Sequence, residues 1–203
     1  MAQEKSLLTK KIEAMTDNKA QYSFLKLMNY MFKDEPYKYI ATGQLEQIPQ
    51  VTAQNLYDTY KSMIHNDECA IYVVGNVNEQ ETRNLIQNNF EIKPFELEKG
   101  SPLTQINHIG SPKVIIEEDE VDQAKLNLGY RFPTYYGKQN YYAFVVFNMM
   151  FGGDPSSVLF NEVREKQSLA YSIHSQIDGK NGFLFVLSGV SADKYERAKD
   201  TIL

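Results

Sequence analysis

A segment without regular periodicity lies near the middle of the 203-residue chain and limits how the chain can fold. Between Glu91 and Pro112 the helical and strand patterns disappear, and three prolines and two glycines accumulate. This composition is typical of an exposed linker. We therefore predict two partial domains, residues 1–92 and 113–203, joined by a linker over residues 93–112.

Apolar residues at helical spacing dominate the beginning of the chain. They predict two helices up to Lys33, separated by the polar stretch from Thr16 to Lys19, and a further helix that begins near Thr52. We expect the apolar stripe of that last helix to lie in the core; it consists of Leu56, Tyr60, Met63 and Ile64.

The next segment combines a strand pattern with a helix signal. The β-branched run from Ala70 to Val74 predicts a short strand that ends at Gly75. Asn78, with Glu81 three residues later, predicts the capped start of a helix that ends near Phe90.

After the linker, alternating and helical patterns predict four strands and three helices. The strands are Lys113 to Glu118, Ala124 to Phe132, Leu169 to Ile177 and Gly182 to Val190. The helices are a buried one from Lys138 to Phe151, one capped by Asp154 that runs to about Lys166 with Val158, Leu159 and Val163 inward, and one that begins near Ala192. Because this last pattern stops at Leu203 without a cap, we expect the chain to be a segment of a longer protein.

Composition excludes several functional classes. A net charge of −5 with no basic stripe argues against a nucleic-acid partner. No apolar run approaches the roughly 20 residues of a membrane span, so we expect no membrane partner. One cysteine, Cys69, and a polar beginning without a secretory apolar region favour the cytoplasm.

The residues alone give weak signals for catalysis. The histidines, His65, His108 and His174, lie in three separate segments, which is not the spacing of a zinc site. His65 and Cys69 are incidental on this interpretation, and Ser156 and Ser157 stand where serines usually serve the backbone of a helix start. The pair Gly152-Gly153 could hold an anion at the next helix, but a helix stop is the favoured interpretation.

One segment carries a specific resemblance. Residues 151–175, FGGDPSSVLFNEVREKQSLAYSIHS, are similar in order and spacing to the second-domain signature of the pitrilysin/insulinase/mitochondrial processing peptidase family. Residues 35–81, from EPYKYIATG to YVVGNVNEQE, resemble the first-domain segment of that family. The resemblance extends from about Glu4 to the end of the chain. It implies an α+β fold of the processing-peptidase type, a two-layer sandwich in which an antiparallel-rich sheet packs with helices.

The resemblance also implies where a zinc ligand would stand. In the family, H-x-x-E-H precedes the region matched here, and a third ligand, a Glu, lies on a later helix in an E-R-x-x-V-x-x-E context. The segment from Glu4 to Ile12 matches this context with Lys11 at the ligand position. A protonated ammonium has no lone pair for Zn²⁺, so we expect a non-catalytic member with no zinc or other cofactor of its own. The alternative is that this register is wrong by one turn. Glu13 is nearby, but helical geometry places it on another face.

The catalytic contribution implied by the resemblance comes from Arg164 and Tyr171. In related peptidases an Arg and a Tyr seven residues apart reach the zinc site of the active half and stabilise the substrate carbonyl. We therefore expect a zinc-bearing partner with H-x-x-E-H and an unfolded peptide substrate. The alternatives are a scaffold that binds peptide without a catalytic contribution and, if H-x-x-E-H precedes Glu4 in a longer protein, an autonomous zinc peptidase.

Two further features bear on function. The whole pattern looks like that of the non-catalytic bacterial members associated with aminopentanol modification of elongation factor P. The acidic run from Glu117 to Asp122 is interpreted as an exposed charged turn, with binding of basic peptides as the alternative.

Overall fold

The computed structural model describes residues 1–67, 69–90, 111–120 and 123–203. In these ranges six α-helices and three β-strands form, in the order α1 (Ala2–Asp17), α2 (Lys19–Met31), α3 (Ala53–Asn66), α4 (Glu79–Asn89), β1 (Ala124–Arg131), α5 (Tyr141–Asn148), β2 (Ala170–Asp178), β3 (Phe183–Val190) and α6 (Tyr195–Ile202). Short 3₁₀ turns cover Pro36–Lys38, Leu45–Gln50 and Ala192–Lys194, and π-helical turns cover Met149–Gly153 and Phe160–Lys166. None of the described helices has the length and apolarity needed to cross a membrane.

The sheet is antiparallel, with β3 between β1 and β2. The tight turn between β2 and β3 is held by the Asp178 carboxylate, which accepts hydrogen bonds from the backbone N–H groups of Lys180 at 3.0 Å and Asn181 at 3.1 Å. Gly182 closes the turn at φ +73°, and a Cβ there would lie 2.5 Å from the Phe132 carbonyl oxygen. The residue must therefore be glycine.

Both faces of the central strand are covered, because alternate residues of β3 point to opposite sides. Leu184, Val186 and Val190 pack in a cluster with residues of α5, α6 and the second π-helical turn. Phe183 and Phe185 pack on the other side with Phe32 and apolar residues of α2. The prediction of an α+β fold with an antiparallel sheet packed against helices is confirmed.

Polar contacts reinforce the attachment of α2 and the residues after it to the sheet. Arg131, at the end of β1, forms an ion pair with Glu35, donates to the Met31 carbonyl oxygen at 2.8 Å, and places its guanidinium carbon 4.8 Å from the Phe32 ring centre. The Tyr37 hydroxyl donates to the Asp178 carboxylate. Apolar residues between Phe24 and Tyr37 therefore share a core with β3, while the predicted division into domains stays a prediction.

Helix caps follow the sequence closely. Asn18 separates α1 from α2 and accepts from the Gln21 backbone N–H, and Thr52 forms a capping box with Asn55 at the start of α3. Asn78 accepts from the Glu81 N–H at the start of α4, as predicted. These caps satisfy backbone donors that have no partner inside the helix.

Packing of the segment from α3 to α4 differs from the prediction. The stripe expected in the core, Leu56, Tyr60, Met63 and Ile64, is about half exposed. Residues 70–74 form no strand, and Tyr72 and Val74 are 88% and 97% exposed. Residues 113–118 form no strand either. In the part of the chain that the structure describes, neither run has a neighbouring strand for its backbone N–H and C=O groups, and β-branched residues alone do not make a strand.

The acidic run is partly engaged on α2. Glu117 accepts from Lys26 at 3.0 Å and from the Tyr30 hydroxyl at 2.7 Å, and Asp119 pairs with Lys19 at 2.7 Å. These contacts favour the interpretation as an exposed charged segment. Residues 121 and 122 of the run, and most of the predicted linker, lie outside the described residues.

The helices around the signature segment are shorter and less regular than predicted. The helix expected from Lys138 begins at Tyr141, and only its Phe144 is fully buried. Asp154 caps a turn by accepting from the Ser156 N–H at 2.8 Å, and the following helix begins near Val158. Val158 is exposed, contrary to the prediction, whereas Leu159 and Val163 are buried as expected.

Candidate functional site

Arg164 lies in the π-helical turn Phe160–Lys166. Val163, which is fully buried, anchors this turn in the core, so the neighbouring Arg164 side chain faces outward. Its guanidinium carbon lies 4.6 Å from the Phe160 ring centre, a cation–π contact that limits its orientation. A π-helical turn inside a helix is rare and frequently occurs at functional sites.

Tyr171 lies on a β-bulge at the beginning of β2. Ala170 pairs with Val190 and Ser172 pairs with Gly189, so Tyr171 is the additional residue that has no partner on β3. A bulge changes the direction of the side chain relative to the regular alternation. Tyr171 is 57% exposed, and its hydroxyl oxygen accepts a hydrogen bond from Ser191 Oγ at 3.0 Å.

A strained residue connects the π-helical turn to β2. Ser168 has φ +49°, the only positive φ outside glycine among the described residues, in the region that L side chains rarely adopt. Its backbone N–H donates to the Arg164 carbonyl oxygen at 3.0 Å, and its carbonyl oxygen accepts from Lys194 Nζ at 3.0 Å. Lys194 thus ties the connection to the segment that follows β3.

These elements together form one open cavity of about 460 Å³. Its polar lining consists of Arg164, Glu165, Ser168, Tyr171, Ser191 and Lys194. The structure therefore brings together the two residues that the sequence predicted, Arg164 and Tyr171, although they belong to different elements.

Ser191 and Lys194 are site residues that the sequence analysis missed. They follow β3, and the pairing of Ala170 with Val190 brings the residues after Val190 next to the start of β2. Without this register, nothing in the sequence connects Lys194 to Arg164. The strand pattern up to Val190 was the one signal that could have suggested it.

The cavity is rich in hydrogen-bond donors. Arg164 Nε lies 3.8 Å from the Glu165 carboxylate, beyond hydrogen-bond distance, and in the described part of the chain no other ion pair involves Arg164. Lys194 donates a hydrogen bond to the Ser168 backbone carbonyl. Among the described residues no carboxylate pairs with the charge of Lys194. The arrangement favours the binding of a ligand oxygen atom that carries negative charge.

The described residues do not fit a zinc ion. Lys11 is exposed on α1, as is Glu13, while His65 lies at the end of α3 and His174 on β2, both exposed. Over residues 1–67, 69–90, 111–120 and 123–203, no three His, Cys, Asp or Glu side chains are grouped to hold a metal. His108 lies outside the described residues.

The glycine and serine candidates lie in closely packed or hydrogen-bonded positions. A Cβ on Gly152 would lie 2.6 Å from Ser175 Oγ and 2.7 Å from Leu159 Cδ1, so this glycine allows close packing against β2 and the following helix. Ser157 is 3% exposed, which removes it from solvent as a nucleophile, and Ser156 is bonded to Asp154.

Comparison with known proteins identifies the family. The family profile described as "Peptidase M16 inactive domain" matches residues 50–203. The chain belongs to the peptidase M16 inactive-domain family. A relative from Bacillus subtilis strain 168, described as the probable inactive metalloprotease YmfF, is 39% identical over 205 residues that cover 100% of this chain and 47% of the relative. The resemblance drawn from the sequence is thus confirmed at the level of the family.

Solved structures share the fold of this chain. A conserved protein from Enterococcus faecalis V583 superposes with a TM-score of 0.85 and 33% identity, over 99% of this chain and 47% of that protein. An M16 inactive domain from Pseudomonas fluorescens has a TM-score of 0.73 and 20% identity, over 99% and 49% of the two chains, and it supports the fold alone. The chain spans about half the length of these relatives.

Proposed function

We propose that this chain belongs to a non-catalytic peptidase-like protein that pairs with an H-x-x-E-H-bearing M16 homologue and lines a peptide chamber with it. In this pair, Arg164 and Tyr171 are presented to the zinc site of the partner. The observation that carries the proposal is that these two residues line one open cavity although different elements hold them. The match to the inactive-domain family and the similarity to a probable inactive metalloprotease support the non-catalytic character.

The chemistry of the two side chains suits this role. The partner would supply the zinc and the general base, and the substrate carbonyl oxygen gains negative charge as water attacks. A guanidinium and a phenol can each donate a hydrogen bond to that oxygen. Both side chains are exposed, so an approaching peptide can reach them.

The test is co-expression of this protein with the H-x-x-E-H homologue from the same genome, followed by co-purification and cleavage of an unfolded peptide. We expect cleavage only when both proteins are present. Arg164→Ala and Tyr171→Phe should each lower kcat by about 10²–10³ without dissociating the pair, because each removes one donor to the developing negative charge.

Matched controls are Arg83→Ala and Tyr39→Phe, which alter exposed residues of the same types outside the cavity. Failure of the two proteins to associate would contradict the proposal. A pair that forms and cleaves equally well with both site variants would identify a scaffold or peptide-binding protein and contradict the donation of Arg164 and Tyr171.

Two further parts of this proposal rest on the resemblance and on composition. We propose a cytoplasmic protein associated with aminopentanol modification of elongation factor P. Mass spectrometry of elongation factor P from a strain that lacks this protein should show a changed modification. An unchanged mass would contradict this association without affecting the proposed pairing.

A further inference from the structure

We propose that the cavity around Lys194 binds a carboxylate group of a peptide, either its C-terminus or an acidic side chain. The proposal takes a peptide as ligand from the proposed function, but it assigns to the chain a binding preference that needs no partner and no turnover. It adds Lys194 and Ser191, which the sequence resemblance does not include, to the residues that contact the ligand.

The cavity carries an excess of positive charge. Two cations, Arg164 and Lys194, line it together with one carboxylate, Glu165. The chain as a whole carries a net charge of −5, so a cavity with excess positive charge is a local exception. A cleft lined by an excess of one charge attracts ligands of the opposite charge.

Several hydrogen-bond donors of the cavity are available to a ligand. An ammonium has three N–H donors, and Lys194 uses one of them on the Ser168 carbonyl oxygen at 3.0 Å. The Tyr171 hydroxyl accepts from Ser191 Oγ, so its own proton is available. Among the described residues the Arg164 guanidinium donates no hydrogen bond within the chain. These free donors face a cavity that one carboxylate, Glu165, lines, and a ligand carboxylate would add two acceptor oxygens.

The side chains that carry these donors are held in place. The Ser168 contact holds Lys194, the Phe160 ring lies under Arg164, and Ser191 holds the Tyr171 hydroxyl. Side chains that are already ordered lose less freedom when they bind. A volume of about 460 Å³ accommodates a carboxylate with its neighbouring peptide unit.

The test is calorimetric titration of the 203-residue chain with three versions of one N-acetylated peptide that contains no other acidic residue. The versions have a free C-terminal carboxylate, a C-terminal amide, or a C-terminal amide with one central Glu. We expect at least one carboxylate version to bind about tenfold more tightly than the plain amide, which is the effect of one charge-assisted hydrogen bond. The version that binds more tightly shows whether the site takes a C-terminal carboxylate or an acidic side chain.

Substitutions locate the preference in the cavity. Lys194→Met should reduce the preference for carboxylate to twofold or less, about the level of a non-specific effect, and Lys194→Arg should keep it. Lys180→Met is the matched control, because Lys180 is an exposed lysine at the turn between β2 and β3, at the other end of these strands. If Lys194→Met changes the fold by circular dichroism, Arg164→Gln replaces it.

Equal binding of all three peptides would overturn the proposal, and so would a preference that survives both Lys194→Met and Arg164→Gln. The outcome is independent of the proposed pairing. A chain that prefers carboxylates but does not associate with an H-x-x-E-H homologue contradicts only the proposed function. If turnover by the pair depends on Arg164 but the chain binds the carboxylate and amide peptides equally, only the inference of a carboxylate site is contradicted.

Discussion

Two apolar runs that both predict a strand behave differently in this chain. Phe183 to Val190 forms the central strand of the sheet, with nearly every residue buried. Ala70 to Val74 forms no strand, and Val74 is 97% exposed. The difference lies in their neighbours, because β3 has a strand on each side and helices on both faces. A strand pattern therefore predicts the ability to pair, while pairing itself depends on the rest of the fold.

The same contrast applies to larger regions. Residues 123–203 and α2 form two apolar clusters that share the sheet. The helices α3 and α4 have correct caps but no fully buried residue. Local signals are thus satisfied in both regions, and burial occurs in only one of them. Three predictions test this contrast.

The largest effect is expected from substitution of the same residue type in the two regions. Phe183→Ala removes a fully buried ring and should lower the free energy of unfolding by about 3–5 kcal/mol. Phe90→Ala, at a position that is 57% exposed, should change it by less than about 0.5 kcal/mol. Urea denaturation of both variants measures the difference. A cost for Phe90→Ala as large as that for Phe183→Ala would show that the segment of α3 and α4 is packed in solution.

An intermediate effect is expected from two glycines. In Gly152→Ala the new methyl group would meet Ser175 Oγ at 2.6 Å and the Ser175 backbone nitrogen at 2.8 Å, so we expect a loss of about 1–3 kcal/mol. In Gly75→Ala the nearest atom is Val77 Cγ1 at 3.9 Å, and the variant should be neutral or slightly more stable. Thermal unfolding of the two glycine variants measures these changes in stability. A destabilised Gly75→Ala would indicate that residues 70–75 pack closely against another part of the protein.

The smallest effect concerns the hydrogen bond between Tyr37 and Asp178. Burial and the bond to Asp178 raise the pKa of Tyr37 to about 12. Burial acts to raise the pKa of Asp178, but hydrogen bonds from Tyr37 and Asn181 outweigh it, so the net pKa of Asp178 is lowered. Tyr37→Phe should lower the free energy of unfolding by about 1 kcal/mol near pH 7, a modest value because both groups are partly in water.

The stabilisation by this hydrogen bond should be lost at both high and low pH. In the unfolded chain a tyrosine ionises near its ordinary pKa of 10.0, while folded Tyr37 holds its proton to about 12, so the stabilisation is lost as pH rises from about 10 to 12. At the acid end it is present above the ordinary Asp pKa of 3.8 and is lost as pH falls through the lowered pKa of Asp178. Tyr39→Phe, at an exposed tyrosine, is the control. If the free energies of unfolding of wild type and Tyr37→Phe differ by the same amount at all pH values, the hydrogen bond between Tyr37 and Asp178 is contradicted.

Much of the fold could be predicted because its signals are local. The caps at Asn18, Thr52 and Asn78 each bond to a backbone group three residues away, so the interacting atoms are close in the sequence itself. Arg164 and Tyr171 were found through a contiguous motif. The burial of the stripe on α3 and the strands at 70–74 and 113–118 were predicted wrongly, because burial requires a packing surface and a strand requires a pairing edge.

The sequence by itself determined where α3 and α4 begin, which residues of β3 point to opposite faces, and which motif carries the candidate site. These properties depend on contacts between residues a few positions apart and on the fixed periodicity of the backbone. Only the tertiary structure decided two hydrogen bonds: one between Ser191 and Tyr171, which are 20 residues apart in the sequence, and one between Lys194 and Ser168, which are 26 residues apart. The physical reason is that a bulge and a strand register bring these groups together, and strand register arises from pairing between distant segments.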